Sequence, residues 1–184
     1  HTFIKEVLDK AGVAQEKLNA IAVSKGPGSY TGLRIGVSAA KGLCAALDIP
    51  LIAVETLRSL SRKQNLTHNE LVVPMLDARR MEVYSAIYDN EGTTIRGTEA
   101  QILDETSFTE YLDKSIVHFI GNGVEKFQEV CTHPNARFVT NELPSAVQMA
   151  AISNQKFTEG LFEDVAYFEP YYLKDFIAGK PKKK

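Results

Sequence analysis

The segment Gly26-Pro27-Gly28-Ser29-Tyr30-Thr31-Gly32 contains the residues whose types and spacing most suggest a binding site. An apolar run, residues 21–23, precedes it, and a helical pattern follows it. Backbone N–H groups at the start of a helix are unpaired and partly positive, so this loop could bind a nucleotide phosphate or another anion through Gly28, Ser29 and Thr31. The alternative is a tight turn with a capped helix, because neither a phosphate-loop lysine nor the acidic residue of a dinucleotide site follows.

The densest cluster of charges contains Asp77, Arg79, Arg80 and Glu82. Guanidinium groups donate paired hydrogen bonds to phosphate and carboxylate groups. We therefore name Asp77, Arg79 and Arg80 as candidate contacts to a ligand or a partner. The alternative is a network of ion pairs on an exposed hairpin, in which each pair contributes about 0–1 kcal/mol.

A second glycine turn, Gly121-Asn122-Gly123, also lies between an apolar run and a helical pattern. Gly121 and Gly123 are candidate nucleotide contacts, and the alternative is a turn that only begins a helix. The histidines do not form the i, i+4 pair of a helical metal site, and no Gly-x-Ser-x-Gly nucleophile motif is present. We therefore predict no catalytic residue and no metal ligand.

These candidate residues lie between segments whose patterns predict an α/β fold. In the first part, strands over residues 21–24 and 51–54 alternate with helices, which predicts a parallel sheet. In the second part, strands over residues 71–76, 82–89 and 93–103 follow one another and predict an antiparallel meander. The polar residues 65–69 mark the boundary between two lobes, which we place at residues 1–66 and 67–184.

The helix predicted over residues 31–47 carries a stripe of small residues, because Gly32, Gly36, Ala40 and Cys44 recur every four positions. Each glycine within a helix costs about 0.5–1 kcal/mol relative to alanine. Close approach of another backbone is the usual compensation. The stripe therefore packs either against the chain's own sheet or against a partner helix.

Two motifs together resemble the signatures of the bacterial TsaB (YeaZ) family: Gly26–Gly36 with Ala40–Leu43, and later Leu76–Tyr84. The resemblance covers essentially the whole chain. It implies a two-lobed actin-like ATPase (ASKHA) fold, in which a nucleotide lies between the lobes. The family begins with strands that carry an Asp-Thr-Ser motif, and the chain as given lacks these first strands of lobe one. We therefore expect an incomplete sequence record rather than a shortened protein.

The resemblance also implies a function in tRNA processing, namely tRNA modification to threonylcarbamoyladenosine. In the family, TsaB is a non-catalytic, cytoplasmic scaffold or activator that dimerises with the transferase TsaD, and the ATPase TsaE joins the pair. TsaB alone can form a homodimer, and its contact with tRNA is indirect. It has no cofactor of its own, although ATP or ADP could bind at the lobe junction or the complex interface. The expected partner-binding positions are Phe3, Ile4, Val7, Leu8, Gly32, Leu33, Gly36, Val37, Ala40 and Leu43.

Three other functions compete with this one: an ATP-binding enzyme of the sugar-kinase type, a metallopeptidase-like (glycoprotease-like) protein, and a homodimeric binding module unrelated to tRNA. The composition, 44% hydrophobic and 24% charged, allows a buried core and a soluble chain, and the net charge of −2 gives no nucleic-acid footprint overall. No apolar run reaches the roughly 18 residues of a membrane span. The lysine-rich segment Lys180–Lys184 is either a solvated end or a contact to RNA phosphates.

Overall fold

Two β-sheets form the framework of the chain in the computed structural model, which describes residues 2–174. The first sheet contains the parallel strands β1 (Ile21–Gly26) and β2 (Leu51–Glu55). The second sheet contains five strands: β3 (Leu71–Asp77), β4 (Glu82–Asp89), β5 (Thr94–Ile102), β6 (Val117–Gly121) and β7 (Ala136–Thr140). Its strand order is β5-β4-β3-β6-β7.

Within the described residues, six α-helices connect and cover the strands: α1 (Thr2–Ala11), α2 (Tyr30–Leu47), α3 (Thr56–Ser61), α4 (Thr109–Leu112), α5 (Val124–Gln128) and α6 (Ala146–Thr158). The predicted parallel pair and the predicted meander β3-β4-β5 are confirmed, and β6 and β7 extend the second sheet in parallel. Some helices are shorter than their patterns predict. Helix α3 ends at Ser61 because Arg62 and Lys63 already make the tighter bonds of a final turn.

Helix α2 begins where the glycine loop ends. The Ser29 hydroxyl accepts a hydrogen bond from the Gly32 N–H at 3.3 Å, which caps the first turn. Asp48, in the left-handed conformation with φ 54°, closes the last turn. The second half of the small-residue stripe packs on the chain's own sheet, because Ala40 and Cys44 are buried against Leu51. Gly32 is exposed and Gly36 is half-buried.

Helix α3 is almost wholly buried and contacts both sheets. Leu57 and Leu60 are fully buried in a cluster with Ile120 on one face of the second sheet. On the other side, the Thr56 hydroxyl lies 2.5 Å from the hydroxyl of Ser24 in β1, at hydrogen-bond distance. This short helix therefore fixes the position of one sheet against the other.

The opposite face of the second sheet packs on a cluster of aromatic rings. The rings of Phe108, Phe119 and Phe127 meet edge to face, with centroids 4.8–5.4 Å apart. Both faces of this sheet are therefore covered, as the near-continuous burial of β3 requires.

Helix α1 contributes no buried side chain. Its apolar residues follow helical spacing as predicted, yet Phe3 and Val7 remain 81% and 63% exposed. Gly12, with φ 64°, ends the helix. Among the described residues, no helix is both long and apolar enough to cross a bilayer.

Residues 161–174, which we call the C-terminal strap, run back across the first sheet. The Glu163 N–H donates to the Leu51 carbonyl at 2.9 Å. The Lys41 ammonium donates to the Phe168 carbonyl at 2.9 Å, and the Tyr171 N–H donates to the Lys25 carbonyl at 2.7 Å. The strap thereby reaches the glycine loop at the end of β1.

We expect Tyr88→Phe to weaken the alkaline sensitivity of the fold. Burial, and next the charge of Glu55, raise the pKa of Tyr88 to about 12. Above pH 10 the unfolded chain ionises this phenol first, so Tyr88 lowers the free energy of unfolding as the pH rises towards 12. The free energy of unfolding, measured in urea at about pH 9 and about pH 11, falls between these two pH values. This fall should be roughly 1 kcal/mol smaller in the variant than in the wild type.

Tyr167→Phe is the matched control, since Tyr167 is one of the most exposed aromatic residues. An equal pH response of wild type and Tyr88→Phe would contradict the assignment.

Candidate functional site

A cleft of about 630 Å³ lies between the two sheets. Strands β1, β3 and β6 all end at this cleft, and the carboxyl ends of parallel strands are where α/β folds bind ligands. The cleft brings together two groups of predicted residues that lie far apart in sequence: Gly28, Ser29, Thr31, Asp77 and Arg79. Tyrosine side chains add aromatic surface, contributed by Tyr30, Tyr84, Tyr171 and Tyr172.

The first wall of the cleft is the glycine loop with the N-terminus of α2. Gly26 has φ 116°, and a Cβ atom there would lie 2.6 Å from the carbonyl oxygen of Tyr171. Glycine is therefore required where the C-terminal strap crosses the loop. The ring of Tyr172 packs on the ring of Tyr30 with centroids 4.9 Å apart, which closes this end of the cleft.

The second wall is the turn after β3, residues 77–82. Arg79 and Arg80 both adopt the left-handed conformation, with φ 74° and 51°. The Arg79 N–H donates to an Asp77 carboxylate oxygen at 3.1 Å. Lys126, at α5, donates to the same carboxylate oxygen and to the carbonyls of Arg80 (2.6 Å) and Glu82 (2.9 Å). One ammonium group thus holds both ends of the turn.

The acidic residues of the predicted charge cluster pair with lysines rather than with the adjacent arginines. Asp77 pairs with Lys126, and Glu82 pairs with Lys174 of the C-terminal strap. Among the residues that the structure describes, the guanidinium groups of Arg79 and Arg80 take part in no ion pair. The hairpin therefore carries ion pairs, but to lysines from other parts of the chain. Arg79 lines the cleft and Arg80 does not.

The hydrogen bond from Lys126 is the main cause of a lowered pKa at Asp77; burial acts in the opposite direction and the Arg79 N–H reinforces the lowering. A carboxylate with a lowered pKa keeps its charge, and its bond to Lys126, at neutral and mildly acidic pH. The bond is lost only as the pH falls through that lowered value.

The second glycine turn does not place Gly121 or Gly123 in the cleft, because both are buried against β3. With φ 132°, a Cβ atom at Gly121 would overlap the Met75 carbonyl oxygen, and one at Gly123 would lie 2.9 Å from Val83. Close packing of two backbones accounts for both glycines. Asn122 supplies the cleft wall instead, and its side-chain oxygen accepts from the Asp77 N–H at 3.1 Å.

The predicted docking positions separate into buried and accessible residues. Val37 and Ala40 are only 3% and 5% exposed and pack inside the chain, so their side chains do not form an outer surface. The predicted positions that keep some exposure are Phe3, Ile4, Val7, Leu8, Gly32, Leu33, Gly36 and Leu43.

The outer face of α2 also carries an apolar residue that the sequence reasoning missed. Ile35 is 66% exposed, and with Ala39, Gly42 and Leu43 it lines a shallow groove. Residues on several sides of α2 are apolar, so the hydrophobic pattern alone does not show which side packs on the sheet.

The histidines that the structure describes lie apart. His118 is 3.4 Å from Glu70, and His133 is 3.4 Å from Asp113. Within residues 2–174, no group of three or more His, Cys, Asp and Glu side chains is arranged to hold a metal ion. The predicted RNA contact at Lys180–Lys184 lies outside the described residues.

Comparison with known proteins identifies the family of the chain. Residues 1–181 match the protein family described as "TsaD: tRNA N6-adenosine threonylcarbamoyltransferase". The chain is 31% identical over 195 residues to the Escherichia coli (strain K12) protein "tRNA threonylcarbamoyladenosine biosynthesis protein TsaB", covering 96% of this chain and 80% of that relative. It is 45% identical to a Phocaeicola vulgatus "tRNA N6-adenosine threonylcarbamoyltransferase", but over only 30% of this chain and 16% of the relative.

A solved structure agrees with the sequence relatives. The fold matches the crystal structure of "an uncharacterized protein with similarity to peptidase YEAZ" from Pseudomonas aeruginosa with a TM-score of 0.80. The two proteins are 27% identical, and the match covers 93% of this chain and 81% of that one. The predicted α/β fold class is confirmed by this similarity.

We expect Gly121→Ala to destabilise the chain by about 3 kcal/mol or more, because the methyl group would overlap β3 and the backbone is left-handed. Gly97→Ala is the matched control, since a Cβ atom there meets nothing within 4 Å. It should change the free energy of unfolding by less than about 0.5 kcal/mol. Denaturant unfolding of both variants measures the difference, and similar values would show that the turn is not tightly packed.

Proposed function

Because the chain belongs to the TsaB family, we propose that it is a non-catalytic scaffold or activator subunit in tRNA threonylcarbamoyladenosine biosynthesis. Its partner is then the transferase of the TsaD type, with which it forms a heterodimer. The pattern of similarity supports this role, since the TsaB relative matches over 96% of the chain and the named transferase over 30%. The family model that matches residues 1–181 carries the transferase's description, and the relative that matches 96% of the chain carries the TsaB name.

The docking proposal rests on the exposed apolar side of α2. Helix α2 is fixed from within by Val37, Ala40 and Cys44 and presents Ile35 and the adjacent groove outward. A rigid helix with an unpartnered apolar side is suited to packing against a helix of another protein, and the absence of a side chain at Gly42 allows close approach. Phe3 and Val7 of α1 offer further exposed apolar surface.

The electrostatics of the cleft support a non-catalytic role. A general base needs a carboxylate or imidazole with a proton affinity suited to neutral pH. Asp77 is instead bound to Lys126 with a lowered pKa, and Glu82 is bound to Lys174. Both carboxylates serve to hold the turn and the strap in place.

As a scaffold, the subunit acts by binding one conformation of its partner more tightly than the other. A partner that binds α2 more tightly in its active conformation is shifted towards that conformation. We propose that the same surface pairs with a second copy when the transferase is absent, as a two-fold homodimer. The ATPase TsaE then joins the heterodimer, in the cytoplasm, and contact with tRNA is indirect.

We also propose that ATP or ADP binds in the cleft. Its volume suits a mononucleotide, its walls hold tyrosine rings, and Arg79 and the N-terminus of α2 face it. Nucleotide binding without hydrolysis would agree with a scaffold. Steady hydrolysis by the chain alone would favour the sugar-kinase alternative.

We expect Ile35→Asp and Gly42→Leu to weaken binding to the TsaD-type protein of the same organism at least about tenfold. The first places a charge in the apolar contact, and the second fills the groove without touching the chain's own core. Sedimentation velocity during a titration measures the affinity, and wild type should form a one-to-one complex.

Ile95→Asp is the control, because Ile95 is an exposed isoleucine on β5, in the other sheet. Gly36 is less suitable for this test, since a Cβ atom there already contacts Val23 of β1. Wild-type affinity in both α2 variants would exclude this surface from the interface, and no complex at about 10 µM would contradict the proposed function itself.

A further inference from the structure

The end of the C-terminal strap, residues 171–174, contacts both sheets. All four of its residues line the cleft, together with residues of the glycine loop and of the turn after β3. Backbone contacts fix the first of these residues, whereas side chains alone hold the other three. This difference divides the strap into an anchored part and a movable part.

Tyr171 is the last anchored residue of the strap. Its N–H donates to the Lys25 carbonyl at 2.7 Å, and its own carbonyl oxygen lies so close to Gly26 that a Cβ atom there would be 2.6 Å away. Before it, the Lys41 ammonium holds the Phe168 carbonyl at 2.9 Å, and the Phe168 side chain packs on the α2 cluster. Up to Tyr171, the strap therefore belongs to the first sheet.

Residues 172–174, which we call the strap tip, are held differently. Within the described chain, no backbone hydrogen bond joins the strap tip to either sheet. The Tyr172 ring packs on the Tyr30 ring, and the Lys174 ammonium pairs with the carboxylate of Glu82 at the start of β4. Lys126 bonds the carbonyl of Glu82 and leaves its carboxylate to Lys174. An ion pair thus joins the strap tip to the second sheet.

This ion pair is accessible to solvent, since the Lys174 side chain is 47% exposed and that of Glu82 21%. Such a pair contributes little to stability, and dissolved salt weakens it further. Segments with few buried contacts and no backbone hydrogen bonds open locally at a much smaller free-energy cost than the fold itself. The strap tip can therefore leave β4 while Tyr171 stays on β1.

We propose that the strap tip is a gate over the cleft and that the ion pair between Lys174 and Glu82 is its latch. Breaking the pair lets residues 172–174 swing away from β4 about Tyr171, which widens access to the cleft. Forming the pair closes the cleft again. The gate requires neither a bound nucleotide nor a partner protein, so its failure would leave the proposed function untouched.

A tryptophan in the strap tip reports on the gate, because the sequence contains no tryptophan. Tyr172→Trp is the parent chain, and quenching of its fluorescence by acrylamide measures how exposed the strap tip is. Lys174→Glu and Glu82→Lys in this parent should each raise the quenching constant about 1.5–2-fold, because like charges replace the ion pair. The double variant carries the two charges exchanged and should return most of the way to the parent value.

Salt provides a second test that needs no charge variant. About 1 M sodium chloride should raise the quenching constant of the parent towards that of the single variants and should not raise theirs further. Acrylamide is uncharged, so salt acts here through the protein.

Two controls separate the gate from general loosening. Lys5→Glu breaks another exposed ion pair, with Asp9 on α1, away from the cleft, and should leave the quenching constant of the parent unchanged. Phe168→Trp, in place of Tyr172→Trp, puts the reporter in the anchored part of the strap. Its quenching should not respond to Lys174→Glu.

Three results would overturn the inference. Equal quenching in the parent and in both single variants, at low and at high salt, would exclude the latch. A double variant quenched as strongly as the single variants would show that the two charges do not act as a pair. An equal response of the reporters at positions 168 and 172 would show that the whole strap detaches, which excludes a gate that turns about Tyr171.

Discussion

The burial of α3 between the two sheets is the constraint on which the candidate site depends. A helix of six residues has little stability of its own, so packing rather than propensity maintains it. Leu57 and Leu60 bury their side chains on the second sheet, and each such burial contributes roughly 1.5–3 kcal/mol. The hydroxyl contact between Thr56 and Ser24 joins the same helix to the first sheet. Helix α3 thus contacts both β1 and β3, whose carboxyl ends lie at the cleft.

The ion pairs around the cleft determine its chemistry. Two lysines from distant parts of the chain neutralise the two carboxylates, Asp77 and Glu82. A cleft with free carboxylates would repel phosphate and could act as a base. With Asp77 paired, the cleft is lined by Arg79, the N-terminus of α2 and tyrosine residues. Our proposals of a bound nucleotide and a non-catalytic role rest on this arrangement.

The sequence patterns predicted the elements well and the site only in part. Alternating helices and strands, and the meander of the second sheet, follow from local periodicity, which each segment carries by itself. The pairing of Asp77 with Lys126 spans 49 residues, so no local pattern contains it. The side of α2 that faces the sheet was also ambiguous, because Val37 and Ile35 are equally apolar in sequence and only burial distinguishes them. The sequence pattern predicted a nucleotide contact at Gly121, but the close approach of β3 accounts for a glycine at this position.

Helix α2 links the cleft to the outer surface of the chain. Its first turn forms one wall of the cleft, and its outer side carries Ile35 and the groove that ends near Leu43. An 18-residue helix is a rod about 27 Å long, and its inner side is fixed by packing on the sheet. A partner that shifts this rod moves the cleft wall with it, since Ser29 caps the helix and belongs to the wall. By thermodynamic reciprocity, a ligand that favours one position of α2 then changes the affinity of the partner by the same factor. If α2 does not move, ligand binding in the cleft and partner binding on the outer surface are independent. The coupling free energy between these two binding events therefore measures how rigidly Ala40 and Cys44 hold α2 to the sheet.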